Sequence, residues 1–188
     1  MRAALGLSLI LFLAGCLADT GGQGGVPVLR KAVLAEGVVV VQPPPGYCID
    51  ARSLSDRPGA GFALIGSCAT LTGGASGAQV EPAIITISVS PAGEGEAALD
   101  STAFQTALGR GRVLRAVNRE GLNMLQVQGG ARIPPSADET HWRGLMVLKG
   151  HVLGLALYGA KDSAVTGDQG MRLMIELAEA IRRASAGS

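Results

Sequence analysis

The chain of 188 residues is poor in aromatic side chains, at 3%, and has only three lysines, Lys31, Lys149 and Lys161, and two histidines, His141 and His151. Its formal charge of +1 includes Arg2, and no basic cluster occurs, which excludes the electrostatic footprint of a nucleic-acid binder. The histidines stand ten residues apart with neither H-x-H nor H-E-x-x-H spacing, so no metal site is written into the sequence. There is no C-x-x-C pair, no G-x-S-x-G elbow, no S-x-x-K in the body and no P-loop ending after the Gly-rich stretches at Gly73-Gly74 and Gly129-Gly130. Redox, nucleophilic and phosphate-cradling chemistry therefore lack their usual residues, and no cofactor is expected.

What is present begins at the amino terminus. Met1-Arg2 precedes an apolar run over residues 3–13, and Ala14-Gly15 stands directly before Cys16. A basic start, an apolar centre and small residues before a cut are the parts of an export signal. The run is too short to span a hydrocarbon core, which takes about 20 apolar residues as a helix. Leu13-Ala14-Gly15-Cys16 resembles the lipobox of bacterial lipoproteins at all four positions. The resemblance implies that residues 1–15 are removed and that Cys16 becomes an acylated first residue, which partners the protein with membrane lipid. Two or more acyl chains anchor stably where one is marginal. Leu17, in place of aspartate, implies by the same resemblance the outer membrane, with the body facing the periplasm.

Lipidation of Cys16 leaves Cys48 and Cys68. In an oxidising compartment an even count implies a disulfide. The expected organisation is a signal over 1–15, a lipidated amino terminus and tether over 16–36, and one domain over 37–188, with Gly21-Gly22-Gln23-Gly24-Gly25 at the heart of the tether.

In the body, residues 37–42 form a β-branched run, Pro43-Pro44-Pro45-Gly46 a stiff turn, and 47–50 a second strand. Residues 51–61 read as a loop, 62–69 as a strand carrying Cys68 back towards Cys48, and 83–90 as a buried strand ending at Pro91. Asp100 or Ser101 caps an expected short central helix to Leu108, with Phe104 and Ala107 on one side and Gly109 as its stop. Strands over 112–117 and 122–128, joined by Asn118-Arg119-Glu120-Gly121, make a hairpin; residues 142–158, interrupted by Lys149-Gly150, make another. After a loop over 159–170, the chain ends in an amphipathic helix over 171–184, capped near Asp168 or Gln169, with Met171, Met174, Ile175, Ala178 and Ile181 on one face.

Strands in runs, hairpin connections and one strong helix predict an α+β fold: an antiparallel sheet packed with a C-terminal amphipathic helix and a shorter central helix. The order of elements, with a Pro-Gly-Tyr turn after the first strand, a late strand pair and a final helix, resembles the Mog1/PsbP-like sandwiches. That resemblance implies a binding or assembly module, since such a fold carries no fixed chemistry.

Three functions are open at this point. The first is a non-catalytic module binding an envelope protein, at an unoccupied sheet edge or at Trp142 and Arg143, because Trp and Arg are enriched at interface centres; the other reading of Trp142 is a core residue under the final helix. The second is small-ligand or lipid binding between sheet and helix, lined by Met146, Met171 and Met174. The third is an enzyme using His141, His151 and Asp162. Ser67 beside Cys68 lacks the glycine of a nucleophile elbow, and Glu94 and Glu96 lie in a Gly-rich loop where solvation is expected.

Overall fold

The computed structural model describes residues 25–74, 77–93, 110–130 and 133–187. The signal, Cys16, the central helix expected over 100–108, and Glu94 and Glu96 lie outside the described residues. The fold is α+β. Eleven strands pair antiparallel: β1 (Val28–Leu29), β2 (Ala32–Leu34), β3 (Val39–Val41), β4 (Tyr47–Asp50), β5 (Ser55–Arg57), β6 (Ala60–Ser67), β7 (Ala83–Pro91), β8 (Arg112–Arg119), β9 (Leu122–Gln128), β10 (Thr140–Leu148) and β11 (His151–Gly159). The main sheet runs β1-β4-β6-β7-β11-β10-β9-β8, with β5 pairing alongside β6, and β2 and β3 form a separate two-stranded sheet. Among the described residues the α-helices are the one-turn α1 (Cys68–Leu71) and α2 (Asp168–Ser185).

Alternation writes the core directly into the strands. Cross-strand register aligns Ile65, Ile85, Leu157 and Trp142 in one row, and Ala63, Ile87, Leu155, Gly144 and Met124 in the next. A third row holds Gly61, Val89, Leu153, Met146 and Leu122. Apart from the glycines, all of these are buried in one cluster beneath α2. Two-residue turns set this register. Glu120-Gly121 and Lys149-Gly150 both hold positive φ, at 51° and 78° and at 48° and 75°, which matches the twist of tight hairpins.

Helix α2 begins earlier than its apolar pattern suggested, at Asp168, and its buried stripe is Gly170, Leu173, Met174, Leu177, Ala178, Ile181 and Ser185. Met171 and Ile175 sit at the margin, partly buried against the core. The stripe is therefore rotated toward Leu173 and Leu177 relative to the face read from sequence, because close approach at the helix start fixes its rotation. A Cβ at Gly170 would lie 1.8 Å from the Val165 carbonyl oxygen and 2.9 Å from Trp142 Cδ1, so only glycine lets this turn settle on the indole. Over the middle of the sheet, Met174 Cε occupies the space above Gly144, 2.6 Å from where a Cβ would stand.

Two segments differ from the sequence reading. Part of the segment expected as tether over 16–36 is strand: β1 pairs with β4, β2 pairs with β3, and the Val26 N–H donates to the Leu71 carbonyl at 2.8 Å. Ala32 and Leu34 are buried, so this stretch is held by burial and by the edges it completes. The expected loop over 51–61 contains β5, a polar strand turning at Pro58-Gly59 into β6; its side chains carry no apolar alternation because it lies at a partly exposed edge. The expected disulfide is present between Cys48 and Cys68, Cα–Cα 4.9 Å and 20 residues apart in sequence, tying β4 to α1.

Two outcomes are expected in urea unfolding. Gly144→Ala costs about 1–3 kcal/mol, since the displaced atom is the end of a flexible methionine, whereas Gly170→Ala meets backbone and costs more; equal losses would contradict this packing. Replacing Cys48 and Cys68 by serine lowers stability by roughly 3 kcal/mol, the chain-entropy value for a loop of this size, and an unchanged midpoint would show that the cross-link constrains little.

Candidate functional site

The sheet face away from α2 carries the groups with chemistry. Strand alternation places Trp142 on the α2 side, fully buried, with Nε1 donating to the Gly167 carbonyl at 3.0 Å. His141 and Arg143 therefore point the other way. Trp142 and Arg143 do not form one surface; this part of the expected partner site is corrected, because a residue that anchors a helix inside the core has no face left for a partner.

On that outer face His141 and Tyr158 flank the Trp142–Leu157 pair, and their rings stack with centroids 5.2 Å apart and 24° between planes. The Arg143 guanidinium lies 5.3 Å from the centre of the same tyrosine ring, a cation–π arrangement. His141 Nδ1 donates to the Glu139 carbonyl at 3.0 Å, and the side chain is only 1% exposed. Burial holds its pKa below the ordinary imidazole value, and the Arg143 charge adds to this, against the opposing effect of the Glu139 hydrogen bond. His141 is thus a packed ring whose charged form burial disfavours.

The other expected catalytic residues do not join it. His151 stands at the opposite end of the β10–β11 hairpin, paired with Leu148, and its Nδ1 donates to the Lys149 carbonyl at 3.1 Å. Asp162 lies in the turn after β11, where its N–H donates to Asp138 at 3.2 Å. That bond and a shorter one from the Thr140 N–H, 2.7 Å, act on Asp138; the Thr140 bond contributes most to holding the Asp138 carboxyl below its usual range. Among the described residues no group of three or more histidines, cysteines or acids is placed to hold a metal ion. Ser67 caps α1, accepting from the Thr70 N–H at 3.1 Å and donating to its hydroxyl at 2.6 Å.

Among the described residues, no open space is lined by the methionines expected to line a ligand pocket. Met146 and Met174 are buried in the packed core between sheet and helix, and Met171 flanks it. Open space lies elsewhere. A groove of about 360 Å³ runs over the outer face across β6, β7 and β11, with α1 as one wall and the turn at Ser136-Ala137 as the other. Its floor includes Leu64, Ile84 and Tyr158, and no charged residue is among its described lining. A shallower depression of about 520 Å³ beside α2 is by contrast lined by Glu81, Arg172 and Glu176. There the Tyr47 hydroxyl donates to the Glu81 carbonyl at 2.7 Å and Ser163 to the Glu81 carboxylate at 2.6 Å. Burial, with the charges of Glu81 and Glu176, pushes the Tyr47 phenol up to about 12, so it stays a donor that fastens this corner.

The remaining feature is an edge. Strand β8, eight residues long and largely exposed, pairs only with β9 among the described residues. The opposite end of the sheet is closed by β1, two residues, and β5, three residues, which offer little to pair with. A bulge between Val113 and Arg115 leaves Leu114 43% exposed. Arg112, Arg115 and Arg119 give the edge its charge: Arg112 donates to Gln128 at 2.6 Å, Arg115 pairs with Asp168 at 2.7 Å, and Arg119 lies 3.8 Å from Glu120. The groove was not visible in the sequence, because it is assembled from several strands; an unoccupied sheet edge was expected but could not be assigned to a strand, and the only signal for β8 was the arginine run of the expected hairpin.

The buried imidazole makes stability depend on pH. The unfolded histidine takes a proton near its ordinary pKa of about 6.5, while the folded one resists until lower pH. The stabilising contribution is thus present above that value and is lost as pH falls toward the folded pKa. Urea midpoints should drop between pH 7.5 and pH 5, and His141→Phe should flatten that drop; an identical slope in the variant would mean other groups carry it.

Compared with protein families, curated proteins and solved structures, the chain matches none.

Proposed function

We propose that the protein is a membrane-anchored envelope lipoprotein, sorted to the outer membrane and facing the periplasm, whose body is a non-catalytic module that binds a protein partner at the β8 edge. The anchor rests on Leu13-Ala14-Gly15-Cys16. One observation carries the binding reading: an eight-residue exposed strand that pairs only with β9 among the described residues, in a sheet whose other described edge strands are two and three residues long. An open edge pairs with an extended segment through main-chain hydrogen bonds, and side chains select the partner. Arg112, Arg115 and Arg119 favour an acidic segment, and the exposed Leu114 adds one apolar contact. The enclosed state of His141 and the separation of His151 from Asp162 argue for binding over catalysis. The order of elements resembling Mog1/PsbP-like domains, which act as assembly factors or binding modules, is consistent with this.

The test is a photo-crosslinking amino acid at Leu114 in living cells, with identification of the adduct. An adduct to an acidic extended segment, weakened about tenfold, or about 1.4 kcal/mol, by Arg112→Glu with Arg119→Glu and less sensitive to salt in that variant, is the expected result. Loss of the adduct in Cys16→Ala would tie the partner to the membrane. No adduct at any β8 position would overturn the edge as the binding surface.

A further inference from the structure

We infer that the groove beside α1, which has no charged residue among its described lining, shelters an acyl chain carried by the protein's own Cys16. This rests on the lipoprotein reading and goes beyond it, because it gives the lipid a second seat on the protein.

The nature of the occupant follows from the groove. Its floor is made of β6, β7 and β11, each paired on both sides, so their backbone groups are already bonded within the sheet. Ser67 and Thr70 on the α1 side bond to each other. A peptide laid on this floor would find few partners for its own N–H and C=O groups, and burying those unpaired is costly. An acyl chain brings no such groups, and the lining of Leu64, Leu71, Ile84 and Tyr158, without a charge, suits it. At about 30 Å³ for a water-sized group, the volume of about 360 Å³ has room for most of one chain.

The source follows from where the described chain begins. The Val26 N–H donates to the Leu71 carbonyl at 2.8 Å, and a Cβ at Gly25 would lie 2.6 Å from the Thr72 backbone. Leu71 is itself part of the groove wall. The amino-terminal segment thus leaves the body at the rim of the groove. Cys16 is nine residues before Gly25, a reach of up to about 30 Å at roughly 3.3–3.6 Å per residue, ample to fold an attached chain back onto α1.

The experiment uses the full-length protein in the membranes of the cells that make it, fed a palmitic acid analogue carrying a diazirine near its methyl end and an alkyne for detection. After irradiation, adducts are mapped by mass spectrometry. The expected result is intramolecular adducts on peptides containing Leu64, Leu71 or Ile84, lost in Leu64→Trp and in Ile84→Trp, each of which fills the groove, while alkyne labelling and the thermal midpoint of both variants persist. Labelled protein with adducts only to bilayer lipid, or with adducts unchanged in both variants, overturns the groove as the seat and leaves the anchor standing. Groove adducts that persist in Cys16→Ala identify bilayer lipid as the source and overturn the protein's own chain as occupant. Absence of label on the wild-type protein removes the anchor, and this inference with it.

Discussion

The structure depends on how three neighbouring strands hold the start of the last helix. Arg115, Gln126 and Trp142 stand side by side in register across β8, β9 and β10. Between them they reach three consecutive residues: Arg115 the Asp168 carboxylate at 2.7 Å, Gln126 the Thr166 carbonyl at 2.7 Å, and Trp142 the Gly167 carbonyl at 3.0 Å. A carbonyl left without a donor under a helix costs about 1–3 kcal/mol, more than the net gain of an average bond, so the row fixes the position of α2 more than it adds stability. The bulge at Val113/Arg115 brings Arg115 into that row, and Gly170 removes the Cβ that would keep the turn off the indole. Asp168 in the first turn and Arg182 and Arg183 in the last also suit the helix dipole.

The far end of α2 is fixed by a different bond. The buried Ser185 hydroxyl accepts from the Val40 N–H at 2.9 Å, so the helix ends on the free side of β3 and binds the small β2–β3 sheet to the main one. The helix is therefore a beam with both ends fastened, one to the main sheet and one to the small sheet, and its apolar stripe fills the space between. With Met174 above Gly144 and Leu177 and Ile181 fully buried, no room is left there for a ligand. The open spaces among the described residues lie instead on the outer face and beside the helix.

Much of this was legible from residues alone, and the misses have physical causes. The strands at 47–50, 83–90, 122–128 and the late hairpin were readable because β-branched and apolar side chains alternate there against turn residues that accept positive φ. The cysteine pair was readable from its even count. The strands at 28–34 were hidden behind a Gly-rich run, since two- and three-residue strands are too short to show a period. Polar β5 was missed because an edge strand needs no buried face. The rotation of α2 was misread because Met171 and Leu173 are equally apolar, and only the close approach at Gly170 decides between them. The candidate site was the least legible part: His141 and Tyr158 lie 17 positions apart and meet only through the register of a hairpin, and the groove needs three strands and a helix at once.

The placement of the two surfaces also bears on how an anchored body would work. The amino-terminal segment leaves beside α1, which follows β6, and the open edge is β8. The order β6-β7-β11-β10-β9-β8 separates them by five strand spacings, about 24 Å at roughly 4.8 Å each. Were Cys16 acylated as proposed, the anchor would attach on the side of the sheet where the described residues begin, and the arginine-bearing edge would lie at the other. Since the row that seats α2 begins on β8 with Arg115, a partner strand bound at that edge as proposed would lie beside the Arg115–Asp168 pair.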